Sequence, residues 1–135
     1  MCKSAAWMIP LQVADLSFVR CRMWKILLAV FLGGGIGSVM RYAVQCVLHR
    51  LVVPFLFPWA TFGVNVLGSF LIGLFYVWAA RFNLPETTRL LLTTGLCGGF
   101  TTFSTFSHEG MEMLRGGHYA VFMLYVVVSV AVGVA

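Results

Sequence analysis

Charge is scarce in this chain: Asp, Glu, Lys and Arg together make up 10% of its residues, and only four of the 135 are acidic. Soluble domains carry about a quarter charged residues, so a composition that is 61% hydrophobic argues against a water-exposed fold. Cysteine patterning is equally thin. Cys2, Cys21, Cys46 and Cys97 contain no CxxC spacing and two of them lie in apolar runs, which disfavours a disulfide or zinc framework. The formal charge is +5, yet the basic residues are scattered and form no cluster, so nucleic acid is not an expected partner. Acidic residues are missing from the core of every apolar run: Asp15 precedes the first, Glu86 precedes the third, and Glu109 and Glu112 fall toward its end. A small proton-coupled multidrug exporter needs a buried carboxylate, and an enzyme needs a constellation that His108 and Glu109 do not have in sequence. Both readings are disfavoured, whereas a non-transporting membrane scaffold stays open.

What is present is a set of long apolar runs. Fifteen uncharged residues separate Lys25 from Arg41, thirty separate Arg50 from Arg81, eighteen separate Arg89 from His108, and seventeen follow His118. A spanning helix needs about 20 such residues at about 1.5 Å each. The expected fold is therefore all-α and integral to a membrane, with four helices near 24–48, 59–81, 86–114 and 118 onward. The fourth falls short of the hydrocarbon thickness and reads as truncated. Residues 1–22 lack the charged, apolar and small-residue succession of a cleaved signal, and Met23-Trp24-Lys25 reads as a natural start. The division is thus an N-terminal extension, 1–22, read as dispensable or as a start-site artefact, and a four-helix transmembrane domain, 23–135.

Counted from Met23, Lys25, Arg81 and Arg89 flank one side of the membrane and Arg41, Arg50 and Arg115 the other, three against three. Such balance predicts insertion in both orientations and opposed pairing. Lys3, Arg20 and Arg22 tip the count to six against three if the extension is included.

The helices also carry polar and small residues in order. On the first, Gly33 and Gly37, and Gly34 and Ser38, stand four apart, the spacing that lets helices approach closely in lipid. Arg41 is either a helix-end anchor or lines a watery vestibule that attracts anions. On the second, Thr61, Asn65, Ser69 and Gly73 form one stripe. On the third, TTGLCGGFTTFSTFS places Gly98 and Gly99 near mid-span, where each costs about 1 kcal/mol relative to alanine. A helix break is expected there, with carbonyl oxygens exposed to protein, water or an ion, sodium being the candidate and a bend satisfied by neighbouring hydroxyls the alternative. Phe103 and Phe106 with Ser104, Thr105 and Ser107 offer ring edges and hydroxyls that suit a dehydrated anion, or else pack. Tyr125 and Ser129 share a face of the fourth helix, as a polar track or as an interhelical bond.

GGGIGSVMRY, ATFGVNVLGSFLIG and GLCGGFTTFSTFS, in that order on three successive spans, resemble the Fluc (CrcB-type) fluoride channel family from about Met23 to Ala135. The resemblance implies a multi-pass protein of the bacterial inner membrane, in contact with membrane lipid, that lets fluoride leave the cytoplasm passively. It further implies an antiparallel, dual-topology homodimer with two fluoride pathways and a structural Na+ at its centre. By the same resemblance Phe103, Phe106 and Asn65 line the pathway, with Ser104 and Thr105 between the rings and Tyr125 and Ser129 as a fourth-helix track. Main-chain carbonyls of Gly98 and Thr101 then hold the sodium.

Overall fold

The computed structural model describes residues 16–51 and 56–135. Within them every regular element is helical: α1 (Leu16–Leu51), α2 (Trp59–Arg81), α3 (Glu86–Leu90), a π-helical segment (Leu91–Cys97), α4 (Gly98–Phe100), α5 (Phe103–Arg115) and α6 (Tyr119–Val134). Four successive spans result, the third assembled from α3 to α5. The expected second span coincides with α2, and the fourth begins one residue later than expected. The first is longer than expected, because helix continues on both sides of 24–48. The separate extension at 1–22 falls largely outside the described residues; residues 16–22 are continuous with α1.

Chain punctuation follows local chemistry. Pro58 and Pro85 stand immediately before α2 and α3, where a missing N–H leaves no intrahelical bond unmade. Glu86 lies in the first turn of α3, and Arg81 and Arg115 lie in the last turns of α2 and α5, each matching the helix dipole. Asn83, at φ 47°, and Gly117, at φ 77°, end the second and third spans in the left-handed conformation. The chain then folds back so that Leu84 N donates to Ala79 O at 3.1 Å and His118 N to Met113 O at 2.9 Å, closing each helix end.

The sequence placed the break at the paired glycines, and the structure moves it. Gly98 is helical, at φ −64° and ψ −35°, while Thr101 (φ −74°, ψ 156°) and Thr102 (φ −145°, ψ 113°) are extended. Glycine's helix cost is outweighed by what these glycines allow. A Cβ on Gly37 would stand 2.8 Å from Phe100 N, one on Gly33 2.9 Å from Leu96 N, and one on Gly99 2.9 Å from Gly34 Cα. Backbone therefore meets backbone along α1 and the first half of the third span. The anticipated small-residue face of α1 is this contact.

Outside the seam, few large side chains are enclosed. Phe31, Val39 and Phe70 are 75%, 69% and 66% exposed, and both α1 and α2 contain stretches long and apolar enough to cross a membrane, Arg22–Leu48 and Trp59–Arg81. Such surface suits lipid or a second protein chain. Arg22, at the outer end of α1, forms an ion pair with Glu86 at the start of α3, so the first and third spans are joined at that end as well.

The seam predicts contrasting effects at neighbouring glycines. Gly37→Ala should destabilise the fold by about 1–3 kcal/mol through overpacking, read as a lower unfolding midpoint in detergent. Gly35→Ala, with nothing within 4 Å of the added carbon, should leave the midpoint unchanged or raise it.

Candidate ion pathway at the helix break

Two extended residues in a span release backbone groups that lipid cannot satisfy. Asn65 of α2 meets them: its Oδ1 accepts from Thr102 N at 2.8 Å and its Nδ2 donates to Thr102 O at 3.2 Å. The side-chain amide thus replaces a neighbouring backbone on both faces of one residue. One turn on, Gly68 is buried against the side chains of Phe100 and Thr101, and the methyl of Thr101 occupies the space a Cβ would need. Thr101 in turn closes the preceding helix, its N and Oγ1 both donating to Cys97 O at 2.9 and 3.0 Å.

On the α1 side Gly99 O accepts from Arg41 Nε at 3.2 Å and from Ser38 Oγ at 3.4 Å. Arg41 is half-buried, and its contact is with the break itself. Among the described residues the carbonyls of Gly98, Phe100 and Thr101 accept no hydrogen bond. Gly98 is exposed on the surface of the single chain, one of the two residues that the resemblance assigns to sodium.

Past the break, Thr102 caps α5, its Oγ1 accepting from Thr105 N at 3.3 Å. The same hydroxyl lies 3.0 Å from Thr105 Oγ1 and 3.3 Å from Ser104 Oγ, so three hydroxyls gather at the helix start. Phe103 and Phe106 follow, their ring centroids 5.7 Å apart and their planes tilted by 31°. Phe103 is 78% exposed, whereas Phe106 is half-buried against Tyr125 at 4.7 Å. Tyr125 is fully enclosed. Ser129 Oγ, one turn further along α6, is buried without a hydrogen-bond partner among the described residues.

One group was misjudged from sequence. Glu109 has partners: Thr61 Oγ1 donates to its Oε1 at 2.7 Å and Tyr125 OH to its Oε2 at 2.9 Å. The carboxylate is half-buried and joins α2, α5 and α6. Distance along the third span suggested a helix-end acid, but the break restarts the helix at Phe103 and leaves Glu109 midway along α5. Its signal was the spacing of four from Thr105, which puts both on one face. Of the α2 stripe, Thr61 and Asn65 meet the third span, Ser69 lies 3.5 Å from where a Cβ on Gly133 of α6 would be, and Gly73 opens onto free space.

The site therefore combines one guanidinium, an amide, a row of hydroxyls and two aromatic rings around a backbone interruption, a set rich in hydrogen-bond donors and without the makings of covalent chemistry. Residues 28–135 match the model of the family described as CrcB-like protein, Camphor Resistance (CrcB). The chain belongs to this family. A relative in Bacteroides fragilis named fluoride-specific ion channel FluC is 49% identical over 111 residues, covering 81% of this chain and 87% of the relative. Relatives of the same name in Phocaeicola vulgatus and Leptospira interrogans are 50% and 47% identical, over 110 and 111 residues; each covers 82% of this chain, and 90% and 87% of the relative. CrcB-like proteins are ion channels and not enzymes, and this member is a membrane protein.

Asn65→Leu keeps the volume and removes both bonds to Thr102. Leaving that N–H and C=O unpaired should destabilise the fold by about 2–4 kcal/mol, and hydrogen exchange at the Thr102 amide should accelerate relative to that at Gly110.

Proposed function

We propose that this chain is a fluoride-selective channel through which the anion leaves the cytoplasm of a bacterial cell passively, across the inner membrane. The observation that carries the reading is the Asn65-held break, followed at once by Phe103, Ser104, Thr105 and Phe106. Fluoride is small and strongly hydrated, so its passage requires groups that replace many water hydrogen bonds at short range. Hydroxyls of Ser104 and Thr105 donate; the positive edges of Phe103 and Phe106 add electrostatic contact where hydroxyls end. Asn65 Nδ2 carries two hydrogens, of which one goes to Thr102 O, so the other remains for the anion. Arg41 draws anions toward the break, and Tyr125 with Ser129 continues the polar track on α6. Glu109 is the neighbouring acceptor that holds the Tyr125 hydroxyl, together with that of Thr61 on α2.

No covalent step or energy source is required. Hydrogen fluoride enters an acid-exposed cell as the neutral weak acid and ionises inside, so a pore for the anion lowers the internal concentration down its own gradient.

In lipid, the exposed carbonyl of Gly98 and the hydroxyls of Ser104 and Ser107 call for a protein partner, and a second, antiparallel copy is the reading consistent with the balanced charge from Met23. Carbonyls of Gly98 and Thr101, free of hydrogen bonds among the described residues, fit a hard monovalent cation. They would hold a structural sodium between the copies, and the cation would supply positive charge that neutralises their converging dipoles.

Liposomes loaded with potassium fluoride and opened to potassium by valinomycin test the channel directly. Fast fluoride release without chloride release is expected from the wild type, and a loss of at least about tenfold in Phe103→Ile and in Phe106→Ile, since each removes a ring edge worth about 1.4 kcal/mol or more to the dehydrated ion. Silent liposomes carrying folded wild-type protein would refute the proposal. For opposed insertion, a single cysteine placed at position 83 in a cysteine-free background should react with a membrane-impermeant maleimide on intact cells in about half the copies, as balanced flanks dictate; labelling of all or none refutes dual topology.

A further inference from the structure

Tyr125 is the most enclosed large side chain among the described residues, and the proposed pathway uses only its hydroxyl. Its ring is held from two sides. Phe106 packs at 4.7 Å on one, and on the other Phe57 meets it edge-on, at 5.3 Å and 83°. Phe57 lies outside every helix, in the tight turn before α2 in which Trp59 N donates to Phe57 O at 3.0 Å. Trp59, at 4.5 Å, and Phe62, at 5.7 Å, fix its ring from the α2 side. Beside these rings lies a wholly apolar groove of about 450 Å³, open to the outside and lined by Phe57, Phe62, Leu124 and Val128 among others. Phe57 is the residue that both lines this groove and touches the Tyr125 ring.

With the Phe57 contact removed, the ring can swing about its Cα–Cβ bond away from Phe106, and the groove is large enough to take it. We infer that Phe57 is a positioning residue for the ion pathway: its edge-on contact keeps the Tyr125 ring out of the apolar groove, and so keeps the phenol hydroxyl on Glu109. The inference rests on the channel reading and extends it to a loop residue that touches neither the anion nor any polar group of the site. An aromatic side chain is required there because only a flat edge fills the gap beside a second ring without displacing it.

Fluoride efflux from liposomes reads this through a double-mutant cycle. Phe57→Ala should slow efflux about fivefold, the scale of one aromatic pair, and Phe57→Trp, whose larger ring the groove can receive, should restore it. Tyr125→Phe keeps the ring and removes the hydroxyl. In that background Phe57→Ala should have no further effect, because the bond it protects is already gone. Val128→Ala, which enlarges the same groove, should leave efflux within about twofold of wild type. Equal slowing by Phe57→Ala in both backgrounds, with the dimer intact by size exclusion, overturns the brace and leaves a merely structural residue. Full efflux in Phe57→Ala overturns it as well. A wild type that passes no fluoride overturns the channel reading and the brace together, whereas a conducting wild type with an additive cycle refutes the brace alone.

Discussion

Within a hydrocarbon layer there is no water to take up an unpaired amide, and every span must therefore settle its own backbone hydrogen bonds. The third span of this protein does not, because Thr101 and Thr102 leave the helix. Everything polar nearby is arranged around that debt of partners. Asn65 takes both groups of Thr102, Arg41 and Ser38 take Gly99 O, and Thr102 supplies its own side chain to the restarted helix. Remove the break, and Asn65 and Arg41 become isolated polar groups facing a helix with nothing to offer them. The interruption and its partners are stable only together.

Glycine governs whether those partners can reach. Arg41 and Ser38 bond Gly99 O because α1 and the third span touch through main chain, a distance set by Gly33, Gly34, Gly37 and Gly99. Asn65 reaches Thr102 because Gly68, on the same helix, leaves room for Thr101. Glycine in mid-span is a weak helix former, but in these helices the loss is local and the close approach is what satisfies otherwise orphaned backbone. The π-helical segment ahead of the break belongs to the same accommodation, since a widened turn at Leu91–Cys97 lies where contact with α1 is densest in backbone atoms.

Much of this was legible in sequence for physical reasons. Apolar run length fixes the spans, since bilayer thickness sets a minimum that few other constraints imitate, and the punctuation by Pro58, Pro85 and Gly117 sharpens their ends. The four-residue spacing in α2 places Thr61 and Asn65 on one face because a helix turns by nearly that period. Illegible were the features that depend on where the helix restarts. The break was read two to three residues early, because propensity marks Gly98 and Gly99 as weak while tertiary contact keeps them helical. Glu109 was read as a helix-end acid for a related reason: counting residues along a span assumes a continuous cylinder, and an interrupted one changes both depth and facing.

That change of facing bears on how a carboxylate coexists with an anion pathway. An acid beside the proposed route would repel the ion unless its charge is engaged elsewhere, and Glu109 has one oxygen on Thr61 and the other on Tyr125. Each bond comes from a hydroxyl that is itself fully buried, on α2 or α6. One donor on each oxygen fixes how the carboxylate is turned; with either hydroxyl displaced, that oxygen keeps no donor among the described residues. The identity of the site thus turns on keeping those two hydroxyls in place, which assigns the packing behind them, the aromatic rings around Tyr125 and the start of α2 carrying Thr61, as much weight as the groups that meet the ion.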